Sequence, residues 1–416
     1  MGFPSLNLRM HAPRTLLQIR WRIALVLFVA ALCHQQHLFH TSRQSLAAKC
    51  SPTEFDSTHL DSHHKFRRRD KDANFQDRLI ANREHWKTIG NGWEGKVFAY
   101  KDSVIKTFTP GRSPFRNCAP GETNEKWPTE IAASLRFGGH NNNNNITNAE
   151  SMQGDDANEF LDGFLSVKTY FEAAIPPSQV PEWHLVTPLL KGGNLEKLAK
   201  KTSQKSELNT TRRMDTHYRP AFENLLSNLQ RLHEARYCHD DIKPTNVFVA
   251  NDTHWVLGDL GNLRHVSHPY HSSRLWTDNK QLSDCRANDA IRALKSYLQF
   301  IRSATRDKDA FDSEFYMAEE PLSRMFWKAW ADAPNMSAAL LREISVTEYA
   351  EKSGTRPDGD LVQVLQAHAP SSGVFKKAAV RKAVDSLLET RMGEKFVRWW
   401  GMAGVLGVPS NEVCGF

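Results

Sequence analysis

At 416 residues, with 40% hydrophobic side chains, 11 Trp and 22 Phe, the chain can bury a large core, which excludes a wholly disordered protein. Its net charge of +7 is concentrated at one end: residues 1–85 carry 13 Lys/Arg against 7 Asp/Glu, and the remainder carries 41 against 40. A near-neutral body offers no basic surface, so no nucleic-acid partner is expected. The six cysteines, at 33, 50, 118, 238, 285 and 414, show no C-x-x-C pair or regular spacing. They predict neither a disulfide framework nor a zinc site, and Cys238 is expected to be a small buried filler.

Residues 23–33 form an 11-residue apolar run preceded by Arg9, Arg14, Arg20 and Arg22. That pattern predicts a targeting or anchor segment over residues 1–35, with the folded part beyond the membrane. A membrane-anchored protein or one in the secretory lumen follows, and four N-x-S/T sequons (Asn145, Asn209, Asn251, Asn335) fit it. The run is shorter than the ~20 residues of a spanning helix. An organelle presequence, a helix docked on the domain, a mistaken start and a cytoplasmic location therefore compete. Residues 36–85, rich in His, Ser, Asp and Arg, predict a disordered basic linker.

The next segment carries Gly90, Gly92, Gly95 and Val97 in G-x-G-x-x-G-x-V spacing, a hairpin whose backbone can close over phosphates. Alternation over 103–108 turns Lys106 inward with Val104, and an inward lysine needs a partner. Glu130, on a helix opened by Pro128, is the candidate, with Glu122 and Glu125 as rivals. Residues 138–159, with five consecutive asparagines, predict an insertion. Strands resume at 164–171 and 183–190.

Residues 200–217 are polar and charged and predict a loop, followed by a helix over 221–235. Then come His239-Asp240-Asp241-Ile242-Lys243-Pro244-Thr245-Asn246 and, 18 positions beyond Asp241, Gly258-Asp259-Leu260-Gly261. Apolar residues at 247–249 and 255–257 predict a hairpin that brings the two acidic motifs to one edge. In phosphoryl transfer one carboxylate orients the attacking hydroxyl while an asparagine and a second carboxylate hold metal on the phosphates. Helical apolar patterns follow at 311–333, 336–352 and 358–403.

Taken together, these motifs resemble the eukaryotic protein kinase family over about residues 86–303. The resemblance implies an α+β, two-lobed protein-kinase-like fold behind the N-terminal apolar leader. A small β-rich N-lobe would span 86–190, a large helical C-lobe 191–403, and a tail 404–416. It implies ATP and Mg²⁺ as cofactors, with Gly90, Gly92, Gly95 and Val97 over the nucleotide and Lys106, paired with Glu130, on its phosphates. It makes Thr187 the residue behind the adenine, with the backbone of Leu189 and Leu190 bonding the base, since Pro188 has no N–H. Asp241 becomes the base, Lys243 the cation on the moving phosphoryl group, and Asn246 and Asp259 the metal ligands. Lys243 after Asp241 is similar to the serine/threonine kinases, which implies a protein substrate, and Asp289 resembles the aspartate that braces the catalytic loop. Two features depart from the family. Asp240 stands where an arginine is usual, and no A-P-E motif follows Asp259, with only 30 positions to Asp289. An enzyme acting on a small molecule or glycan, and a nucleotide-binding pseudokinase scaffold, therefore compete with a protein kinase.

Overall fold

The alternating segment 103–108 is the central strand of a five-stranded antiparallel sheet in the computed structural model. The structure describes residues 14–51, 53, 55, 70–92, 95–109, 118–120, 126–139, 163–174, 180–204, 210–350, 359–368, 376–393 and 395–402. Strands β1 (Lys87–Asn91), β2 (Lys96–Tyr100) and β3 (Ser103–Phe108) form a meander. A small hairpin of β4 (Cys118–Pro120) and β5 (Lys126–Pro128) follows. Strands β6 (Thr169–Ala173) and β7 (Glu182–Pro188) complete the sheet in the order β1-β2-β3-β7-β6. Across it, Val97 pairs with Lys106 and Lys106 with Leu185. Phe98, Ile105, Phe171 and Val186 pack with Leu79 and Trp86 on one face, whereas Phe108 and Leu185 join the main core.

Helix α1 (Arg14–Lys49) is continuous over 36 residues, and α2 (Asp70–Ala81) precedes the sheet. The apolar part of α1 is long enough to cross a membrane or act as a signal sequence, with mean hydropathy 1.4 and none of that window buried. The expected boundary at residue 35 falls inside this helix. Leu46 is fully buried and Cys50, Thr53 and Phe55 are buried too, so the start of the expected linker is packed rather than solvated. Its apolar residues find a partner in the far end of the chain, α13 below, which local composition does not reveal.

Helix α3 (Thr129–Gly138) closes over the sheet, and β6 and β7 lead to α4 (Leu195–Thr202). The following α5 (Thr211–Glu234) begins ten residues earlier than expected. Thr210 caps it, its Oγ1 accepting from Arg213 N at 3.2 Å. Asp215, one of the charged residues of the expected loop, and Arg219 are each 1% exposed and bonded to each other at 2.5 and 2.9 Å. Then come β8 (Tyr237–Cys238), the hairpin β9 (Val247–Asn251) and β10 (His254–Leu257), β11 (Arg264–His265), which pairs with β8, and the short α6 (Arg274–Asp278). Seven further helices complete the helical part: α7 (Cys285–Ala304), α8 (Lys308–Met317), α9 (Pro321–Ala331), α10 (Ala338–Ala350), α11 (Gly359–His368), α12 (Lys376–Leu388) and α13 (Lys395–Met402). The last packs against α1. The protein is thus a mixed helix-and-sheet structure with a small antiparallel sheet. Residues 140–159 of the expected insertion, Glu122, Glu125 and the tail 404–416 lie outside the described residues.

Candidate active site

The glycine hairpin supplies the roof. Gly92 N donates to Gly95 O at 2.9 Å, closing the turn between β1 and β2. A Cβ on Gly95 would sit 1.8 Å from Thr107 O, so only glycine lets β2 approach β3 here. Gly90 faces Val97 across the hairpin, and Val97 lies beside Lys106.

Beneath it, Lys106 Nζ bonds Glu130 Oε2 on α3 and lies 2.9 Å from Asp259 Oδ1 after β10. Glu130 is the better buried, with its side chain 8% exposed against 36% for Asp259. The adjacent Lys106 ammonium holds the Asp259 carboxyl down at about 2, against the opposing effect of burial. Asp259 has φ +58°, a left-handed conformation that aspartate tolerates better than most residues and that turns the chain sharply after β10.

The residues of the 239–246 loop converge on the same edge. Lys243 Nζ donates to Asp241 Oδ2 at 2.6 Å, and Asn246 Nδ2 donates to Asp241 O at 2.9 Å and Oδ2 at 3.2 Å. The Asn246 backbone ties this loop to the next motif, accepting from Gly258 N at 3.0 Å. His239 Nε2 bonds Gly258 O at 3.1 Å, while Asp241 N donates to His239 Nδ1 at 3.3 Å, so the ring links the two motifs. Asp259 and Asn246 offer oxygen donors of the kind Mg²⁺ takes. Lys106 engages one Asp259 oxygen, and Asn246 turns its amide nitrogen to Asp241, leaving its carbonyl oxygen to Thr245 Oγ1 at 3.2 Å and to a cation. The pair fits that ion.

Thr187 is buried in β7 opposite Val104. Of the backbone groups expected at the base, the Leu189 N–H donates to Asp102 O at 2.8 Å and is committed to the strand junction. Pro188 has no N–H.

Below the loop lies a network of which sequence reasoning named Asp289 and missed the rest. Cys238 and Cys285 form a disulfide, which overturns the expectation of a buried filler and of no disulfide. They are 47 positions apart, and no spacing rule joins them. The bond fastens β8 to the start of α7, the helix carrying Asp289. Asp289 accepts from His239 N at 2.6 Å and Asp240 N at 3.0 Å. Asp240, itself at φ +62°, is 4% exposed and meets Arg264 Nη1 at 3.0 Å and His271 Nε2 at 2.9 Å. Burial disfavours its charge, yet His271 and Arg264 together hold its carboxyl below the usual range. His271 is shifted upward, because Asp240 outweighs the burial that opposes its protonation. A cue existed in Asp240 itself, since a carboxylate in place of an arginine calls for a cation elsewhere, but nothing local points to residue 264. No family model and no curated protein matches this chain.

Proposed function

We propose that the chain is an ATP-dependent phosphotransferase with a two-lobed protein-kinase-like fold, moving the γ-phosphoryl group to an alcohol hydroxyl. The observation that carries the proposal is Lys106, shared between Glu130 and Asp259, which lie 24 and 153 positions away. A lysine held between carboxylates from two other elements is oriented for phosphate oxygens and kept charged.

In this reading Asp241 takes the proton of the acceptor hydroxyl. The acceptor oxygen bonds to the γ-phosphorus as the bond to the β,γ-bridging oxygen breaks, and ADP leaves. Lys243, 2.6 Å from Asp241, both orients that carboxylate and offsets charge on the moving group. Asn246 and Asp259 would hold Mg²⁺, which when bound offsets negative charge on the β- and γ-phosphates. A serine or threonine side chain is the acceptor implied by the resemblance. A second reading, a compact polar alcohol, is favoured by the cavity in front of Asp241.

The proposed setting is the secretory lumen, reached through the N-terminal apolar helix. The arginines before the apolar run 23–33 and the Cys238–Cys285 disulfide both suit an oxidising compartment beyond the membrane. The test of function is transfer of label from γ-labelled Mg-ATP, with ATP hydrolysis measured alongside. Wild type is expected to turn over, and Lys106→Met and Asp259→Asn to lose turnover. Nucleotide binding without turnover by wild type would refute an enzyme. For location, the folded part is expected to resist protease in intact microsomes, and digestion without detergent would refute a lumenal site.

A further inference from the structure

We propose that the space in front of Asp241 is an acceptor pocket for a sugar hydroxyl, free or at the end of a glycan, and that both chain extensions build its wall. The proposal rests on the phosphotransferase reading and names the acceptor for it. A cavity of about 440 Å³ opens there. That lies in the lower part of the ~300–1,000 Å³ range of small-molecule sites. Asp241 and Lys243 line it from the loop and Glu196 from α4, while Lys49 reaches it from the end of α1 and Arg391 from the segment after α12.

Both extensions are fastened in place. Beyond α12, Gln299 Nε2 donates to Leu388 O, and Arg292 Nη2 donates to Thr390 O at 2.5 Å. Gly393 N then donates to Asn279 Oδ1 at 2.5 Å. At the other end of the chain, Ser51 O lies 3.0 Å from His268 Nε2, Thr53 Oγ1 donates to Leu263 O at 3.2 Å, and Phe55 stacks on Tyr237 at 5.5 Å. These contacts fasten the N-terminal extension to the strip that follows Asp259, in which Ser267, Pro269, Ser272 and Arg274 stay exposed. Leu263, Arg264, Tyr270, Leu275 and Trp276 are each at most 1% exposed.

An extended peptide rises ~3.3 Å per residue, so six residues need about 20 Å of open strip. The cavity of about 440 Å³ at Asp241, walled in part by both extensions, suits a compact acceptor better. The lining selects its chemistry. Carboxylates at Glu196 and Asp241 accept from hydroxyls, and Lys49, Gln299 and Arg391 donate to them. A hydroxyl both donates and accepts, and a sugar presents several on a small frame. An aliphatic or aromatic alcohol would face charged groups with nothing to bond them.

The experiment uses the full-length chain in detergent micelles with γ-labelled Mg-ATP. One arm offers hexoses, pentoses and N-acetylhexosamines, a second their methyl glycosides, and a third a degenerate Ser/Thr peptide library. Label is expected in a sugar or its glycoside and not in peptide; transfer to the glycoside places the acceptor at the end of a glycan. Arg391→Glu, at an exposed position, is expected to raise the acceptor KM at least tenfold with kcat within about twofold. Label in peptide alone would overturn the sugar assignment while leaving phosphoryl transfer intact. An unchanged KM in Arg391→Glu would overturn the wall assigned to the C-terminal extension. Failure to bind Mg-ATP at all, read as no thermal shift, would remove the underlying reading and the proposal with it.

Discussion

The two sides of the cleft are stabilised differently. On the nucleotide side, Lys106, Glu130 and Asp259 form a three-group cluster whose members are 20%, 8% and 36% exposed. On the acceptor side, Asp240, Arg264 and His271 are at most 9% exposed and sit beside a disulfide. Part-exposed charges keep solvent access and can exchange partners, so the first cluster can pass Lys106 and Asp259 to a ligand. Buried charges cannot lose a partner cheaply, so the second is a fixture. In the proposed reading the first cluster is placed to react and the second to hold still.

The largest expected effect breaks the first cluster. Asp259→Asn removes the charge that meets both Lys106 and a metal. Phosphoryl transfer should fall by on the order of 10³ or more, the scale for losing a preorganised electrostatic group. Thermal stability should change little, because the side chain is partly exposed. A variant that unfolds instead would show that Asp259 is as structural as Asp240, and the contrast between the two sides would fail.

Asp240→Ala should do the reverse. It leaves Arg264 and His271 buried without their anion, at a cost of about 3–5 kcal/mol in denaturant unfolding. Both titrations give this network a pH signature. Asp240, lowered, contributes stability above its unfolded value near ~3.9, lost as pH falls through its folded value. His271, raised, contributes stability fully present below ~6.5 and lost as pH rises through its folded value. Stability should therefore peak between about pH 4 and 6.5, and His271→Gln should flatten the alkaline decline. An unaltered decline in that variant would remove His271 from the network.

Removing the disulfide with Cys238→Ser and Cys285→Ser should cost about 2–4 kcal/mol. The comparison predicts where the loss shows. Acceptor-dependent turnover should fall, since the bond lies beneath the loop carrying Asp241, while the thermal shift given by Mg-ATP should persist. Equal loss of both would mean that the two sides fold as one unit.

Legibility in the sequence follows the same divide. The glycine hairpin, Lys106 and the two acidic motifs are local patterns, because strand alternation and loop spacing dictate them within a few residues. Glu130 was within reach since an inward lysine demands a carboxylate and a helix lay next in the chain. The acceptor side joins Cys238 to Cys285, Asp240 to Arg264 and Ser51 to His268, pairs that only the folded chain creates. The charged stretch 200–217 misled for a related reason: Asp215 within it is buried against Arg219, which lies beyond it.

The smallest expected effect is a control outside both sides of the cleft. Glu314 on α8 accepts hydrogen bonds from Ser323 Oγ at 2.5 Å and from Glu320 N at 2.8 Å. Burial pushes its carboxyl up to about 7 despite them. An unfolded glutamate titrates near ~4.3, so between about pH 4 and pH 7 the folded chain binds more protons than the unfolded one. Stability then falls as pH rises through that window. Glu314→Gln keeps the shape and the acceptor oxygen but cannot ionise, so it should match wild type near pH 4 and be the more stable of the two at pH 8. Phosphoryl transfer should stay at the wild-type rate at both pH values. A constant difference between the two proteins across the range would show that the carboxyl is not protonated in the fold. A change in turnover would connect α8 to the cleft, and the buried side of the molecule would extend further than the loop it braces.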